Sequence, residues 1–135
     1  RFRGYSAGSK PVGQPNPYAI EHLVSEGIPT NFARSKSWHE FTRVGGVQID
    51  LVITVCDSAA REVCPIFPGR ALMAHWGLPD PADLPNGRAS QIAFKQTHSA
   101  LKKRILAMLA LNTEDCSGED LVRSINKIGR YEDAL

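Results

Sequence analysis

Two cysteines and an arginine are the first residues whose spacing suggests chemistry. Cys64 and Arg70 bracket five residues in CPIFPGR. In the bare Cys-x5-Arg arrangement a thiolate attacks phosphorus while the Arg and a ring of backbone N–H groups hold the oxyanions. Such a cradle needs converging N–H donors, usually opening a helix. Here Pro65 and Pro68 carry no N–H, and Ile66 and Phe67 crowd the neighbouring places. No buried strand leads in and no helix pattern leads out, so the spacing is read as coincidental. Cys64 then needs another role. Cys56 lies eight positions before it. A helical path between them would span about 12 Å, whereas a disulfide needs Cα atoms within about 7 Å. Bonding the pair therefore requires a looped or unwinding connector. Asp57 and Ser58 favour turns, and the prolines block helix extension. Two readings stay open on spacing alone: a dithiol–disulfide couple, or two small buried apolar fillers.

The elements that must position these residues can be read from the chain. Phe2 to Ser6 reads as a short strand running into the Ala7-Gly8-Ser9 turn. Asn16 suits a helix cap, Pro17 the first helical position and Gly27 the stop, with Ile20, Leu23 and Val24 on one face. Ser37 with Glu40 makes a capping-box signature around Trp38. Leu51, Val52, Ile53 and Val55 form an apolar run without alternation, as in a strand buried on both faces, and Cys56 ends it. Asp57 to Glu62 suits a helical turn, and ALMAHWG a short strand. PDPADLPNG is too Pro-rich to be regular. Residues 89–111 form the clearest helix, with Phe94, Leu101, Ile105 and Met108 on one stripe and Lys102, Lys103 and Arg104 on the wet face. Ser117 to Gly129 reads as a further helix with Leu121, Val122, Ile125 and Ile128 apolar. This order predicts an α/β domain with a mostly parallel sheet. In such sheets chemistry sits beyond the carboxyl ends of strands, and Cys56 stands at one.

Bulk properties narrow the function. The chain has 135 residues and net charge +2, enough for one domain with a core. Lys102-Lys103-Arg104 is the longest basic tract, so nucleic acid is not an expected partner. No apolar run approaches the roughly 20 residues of a membrane span, so no membrane association is expected. Three cysteines in this spacing do not make a secreted disulfide framework; a reducing cytoplasm is expected. No His/Cys/Asp set has zinc spacing, and neither metal nor cofactor is expected. His22, His39 and His98 are expected to be solvated, and Trp76 to serve packing. Cys116 has acidic neighbours, which raise a thiol pKa and argue against a reactive thiolate. The chain opens on Arg1 in RFRGYSAGS rather than on Met, and a preceding N-terminal piece is expected.

Several separated stretches carry a resemblance. DLVITVCDSAAREVCPIFPG with HWGLPDPA, together with YSAGSKP, NPYAIEHLVSEGIPT and SKSWHEF, resembles arsenate reductases of the low-molecular-weight tyrosine phosphatase superfamily, in the same order and over about residues 2–111. The resemblance implies a three-layer phosphatase-like α/β sandwich, a small parallel sheet flanked by helices. It also implies a domain over 1–111, with 112–135 as a C-terminal extension, helical in pattern. In the thioredoxin-linked members three cysteines relay electrons. By resemblance Cys56 matches the second, Cys64 the third, and Asp80 the general acid, held between Pro79 and Pro81. Seven residues separate the two cysteines, one more than in the best-known thioredoxin-linked members. Without the resemblance Asp80 reads as a turn residue.

The family opens with a strand, a Cys-x5-Arg loop and a helix, and these 135 residues begin after all three. The first central strand is thus expected to be absent from this chain, leaving an open sheet edge, and the chain by itself is expected to be inactive. The implied function is reduction of arsenate to arsenite with electrons from thioredoxin, glutaredoxin or a mycothiol-type reductant. The alternatives are a low-molecular-weight tyrosine phosphatase and an inert anion-binding or regulatory remnant. Those phosphatases carry aromatic residues after the acid motif; Ala82 and Asp83 stand there instead.

Overall fold

A computed structural model describes residues 2–56 and 65–130. Its regular elements are helix α1 (Pro17–Ser25), strand β1 (Leu51–Thr54), strand β2 (Leu72–His75), helix α2 (Arg88–Leu109) and helix α3 (Gly118–Ile128), with short 3-10 turns at Trp38–Thr42 and Pro81–Asp83. The expected α/β architecture with a small parallel sheet flanked by helices holds. β1 and β2 pair in parallel, with Leu51 opposite Leu72 and Thr54 opposite His75. Among the described residues β1 has no strand on its other edge.

Local chemistry sets the helix ends. The Asn16 side chain accepts from the Tyr18 N–H, and Pro17 opens α1. Gly27 takes φ +73; its N–H donates to the Val24 carbonyl, and that of Ile28 to the Leu23 carbonyl. This pair of bonds closes the helix in a Schellman motif. Ser117 caps α3 by accepting from the Asp120 N–H at 3.1 Å. That helix has the sharpest polar–apolar division of the three, as its Leu121, Val122, Ile125 and Ile128 pattern requires.

The core gathers on one face of the sheet. Ala74, Trp76, Met108, Ile125 and Ile128 form one buried cluster, with Leu51, Ile53, Leu101, Leu121 and Val122 packed on it. Alternation places Val52, Thr54, Met73 and His75 on the opposite face. The expectation that β1 is buried on both faces is therefore corrected. All four of its residues are half-buried, and Met73 on the second face is 43% exposed. The β-branched run satisfies strand propensity, while α2 and α3 supply cover from the core side.

Further expectations need correction. Phe2 to Ser6 is not a strand; a single parallel bridge joins Gly8 to Ser37. Phe2 to Tyr5 are exposed, and a strand needs a ladder that one bridge does not supply. Ser37 does cap, but to the His39 N–H, and Glu40 leaves the capping box to pair with both Nη atoms of Arg34. That bonding holds the Glu40 carboxyl below its ordinary pKa. On α2, Arg104 is buried rather than wet, whereas Ile105 is 43% exposed. Ala100, Arg104 and Met108 recur every four residues and make the inward row, with the long Arg stem able to cover apolar surface. Val24 on α1 is likewise exposed. His22 and His98 are half-buried, and their rings share a hydrogen bond of 2.9 Å across α1 and α2. His39 is exposed, as expected. The expected helical turn at 57–62 lies outside the described residues.

Ile125 is fully buried at the centre of the cluster. Ile125→Ala is expected to cost about 2–5 kcal/mol of unfolding free energy, read from urea denaturation. A loss below about 1 kcal/mol would show that α3 is not integral to the core.

Candidate functional site

Parallel pairing decides where the candidate residues fall. Because β1 and β2 run the same way, their carboxyl ends open on one side. Two more bonds hold the departing chains together: the Trp76 N–H donates to the Thr54 carbonyl at 2.7 Å, in register, and the Leu78 N–H to the Val55 carbonyl at 2.9 Å, one residue out of register, where the ladder ends. Cys56 follows Val55 directly and is half-buried. Asp80 follows Leu78 by two residues. The structure thus brings the backbones bearing Cys56 and Asp80 to the same end of the sheet. Cys64 lies outside the described residues. Asp80 is exposed and caps the 3-10 turn Pro81–Asp83, its Oδ1 accepting from the Ala82 N–H at 2.9 Å. Pro79 and Pro81 flank it, so its backbone has little freedom.

CPIFPGR behaves as its prolines require. Phe67 is buried and Ile66 is 92% exposed. Gly69 and Arg70 both take positive φ, +87 and +58. The chain then enters β2 at Leu72 rather than a helix. No helix N-terminus therefore follows Arg70 to face an anion. An open cleft of about 280 Å³ is lined by Arg43, Gly45, Gly46, Val47, Gln48, Pro68 and Gly69. These residues precede β1 and β2, so the cleft sits at the amino ends of the strands, opposite Cys56 and Asp80. Among the described residues no group of three or more His, Cys, Asp or Glu is placed to hold a metal ion.

The sequence assigns no role to three residues near the carboxyl end, although His75 leads into the acid loop. Thr54 Oγ1 and His75 Nδ1 share a hydrogen bond of 2.6 Å across the register. The His75 N–H, on the outer edge of β2, donates to Asn126 Oδ1 at 2.8 Å. Trp76 Nε1 donates to the Ile125 carbonyl at 2.8 Å, so Trp76 serves packing, as expected. Strand alternation was a usable signal for Thr54, which ends β1 two residues before Cys56. Nothing in the sequence marked Asn126.

The model of the low molecular weight phosphotyrosine protein phosphatase family matches residues 1–118. The chain belongs to this family. Its members include phosphatases and arsenate reductases. The family match spans α1, both strands, the Asp80 loop and α2, and ends where α3 begins. No curated protein matches the chain significantly. No helix among the described residues is long and apolar enough to cross a membrane.

Asp80→Asn is expected to change stability by less than about 0.5 kcal/mol. The side chain is exposed and the amide oxygen can still accept from the Ala82 N–H. Thermal unfolding checks this; a loss near about 2 kcal/mol would show that the fold depends on the Asp80 charge itself.

Proposed function

We propose that this chain carries the relay half of an arsenate reductase. The observation that supports the reading best is the shared end of the parallel sheet, which holds Cys56 at the close of β1 and the Asp80 loop beyond β2. Cys64, eight positions after Cys56, supplies a second thiol. Ala82 and Asp83 after the acid, in place of aromatic residues, also favour it.

In this reading a first cysteine thiolate, from outside these 135 residues, attacks arsenic and displaces water. Asp80 gives the leaving oxygen its proton. Cys56, as thiolate, then attacks the sulfur of that adduct. A disulfide forms, the sulfur–arsenic bond breaks, and its electron pair stays on arsenic, which leaves as arsenite. The Cys64 thiolate attacks Cys56, frees the first cysteine and leaves a Cys56–Cys64 disulfide. A dithiol protein or small-thiol reductant of the thioredoxin, glutaredoxin or mycothiol type reduces it and is itself oxidised. The step needs a reducing compartment, in keeping with a cytoplasmic setting.

The phosphatase reading shares the nucleophile and the acid but leaves the Cys56–Cys64 pair idle. It draws its support from the family match itself.

The two readings separate in one assay pair. Arsenite formed from arsenate with a dithiol reductant is measured beside phosphate released from an aryl phosphate, for the chain alone and for the chain with the residues encoded immediately upstream. The chain alone is expected to turn over neither substrate. With an upstream strand, Cys-x5-Arg loop and helix, arsenite should form, and Cys56→Ser should lower that rate by about 100-fold or more. Phosphate release unaffected by Cys56→Ser, without arsenite, would establish the phosphatase instead. Full turnover by the chain alone would refute the need for an outside nucleophile.

A further inference from the structure

Helix α3 does more at the sheet than fill space. It covers the core face of β2, where Ile125 and Ile128 are almost wholly buried against Trp76 and Ala74. It also reaches the outer edge of β2. There the His75 N–H points away from β1, and Asn126 Oδ1 accepts it at 2.8 Å. One residue on, the indole of Trp76 donates to the Ile125 carbonyl at 2.8 Å. The helix ends against the same two residues: a Cβ on Gly129 would lie 2.6 Å from Trp76 Cδ1 and 3.0 Å from the His75 carbonyl oxygen. A backbone and a side-chain bond, made by neighbouring residues of one helix turn, thus grip two consecutive residues of β2.

Those two residues lead directly to the candidate site. The His75 ring bonds Thr54 Oγ1 at 2.6 Å. Thr54 lies two residues before Cys56, and the Val55 carbonyl between them accepts from the Leu78 N–H at 2.9 Å, tying the segment that carries the thiol to the one that carries Asp80. Trp76 begins the segment that returns through Leu78 to Asp80. His75 and Trp76 thus stand at the root of both segments, the one bearing Cys56 and the one bearing Asp80.

We propose that α3 is a clamp for the carboxyl end of the sheet and that Asn126 is a positioning residue, holding the His75–Thr54 pair from which the segment bearing the Cys56 thiol departs. The helix lies almost entirely past the stretch the family match covers, so the clamp is an addition this chain makes to the matched stretch. The inference rests on the reading of Cys56 as a reactive thiol. It does not depend on which substrate the site takes.

The test follows Cys56 alone, in the full chain with Cys64→Ser and Cys116→Ser. Its alkylation by iodoacetamide is measured across pH, giving a rate and a titration midpoint without arsenate or phosphate. Asn126→Ala should change the rate at neutral pH by about threefold or more and move the midpoint. Asn126→Asp keeps an oxygen acceptor and should restore both. Leu121→Ala loosens the same helix without touching either hydrogen bond, and should leave the profile unchanged at equal folded fraction. An Asn126→Ala profile like that of the parent, or like that of Leu121→Ala, would overturn the clamp. Failure of the arsenate reading would leave this result standing, since no substrate enters it.

Discussion

The parallel pairing of β1 with β2 is the constraint on which everything else depends. Two antiparallel strands would send Cys56 and Asp80 to opposite ends of the sheet. Parallel strands send them to one end, and the two bonds after the ladder, Trp76 to Thr54 and Leu78 to Val55, keep the departing chains together. A parallel pair cannot close through a tight hairpin and needs a long crossover. That requirement is why residues 55–71, which include Cys56 and Cys64, lie between the strands in sequence.

So small a sheet does not hold itself together. Two strands bury little and are at best marginal without a packed face. Trp76 supplies the anchor. Trp76 is 2% exposed within a cluster drawn from β2, α2 and α3, and its indole N–H finds the Ile125 carbonyl, as a buried indole must. Packing and site geometry thus share a residue, with Trp76 four positions before Asp80. α1 contributes from farther away by packing on α2, through the rings of Tyr18 and Phe94 and the His22–His98 bond.

The sequence made legible whatever depends on neighbours along the chain. Asn16, Pro17 and Gly27 bounded α1, Ser117 and Gly129 bounded α3, and the apolar run at Leu51 marked β1. Cys56 was recognisable as a strand-end residue, and the prolines of CPIFPGR were enough to reject a phosphate cradle. What escaped was set by partners distant in the chain. Glu40 satisfied the capping-box spacing yet found a stronger, charge-assisted partner in Arg34. Arg104 looked solvated because its neighbours Lys102 and Lys103 are, but it lies on the inward row of α2. Phe2 to Ser6 had strand composition without a ladder to join. Asn126 reads as an ordinary helix polar residue until the edge of β2 is placed beside it.

The proposed function requires Cys56 and Cys64 to act as one redox pair. The most direct measurement is peptide mapping of the mildly oxidised chain by mass spectrometry, with free thiols blocked beforehand in a reduced control. A Cys56–Cys64 disulfide is expected, with Cys116 left as a thiol. A bridge that takes in Cys116 instead would contradict it.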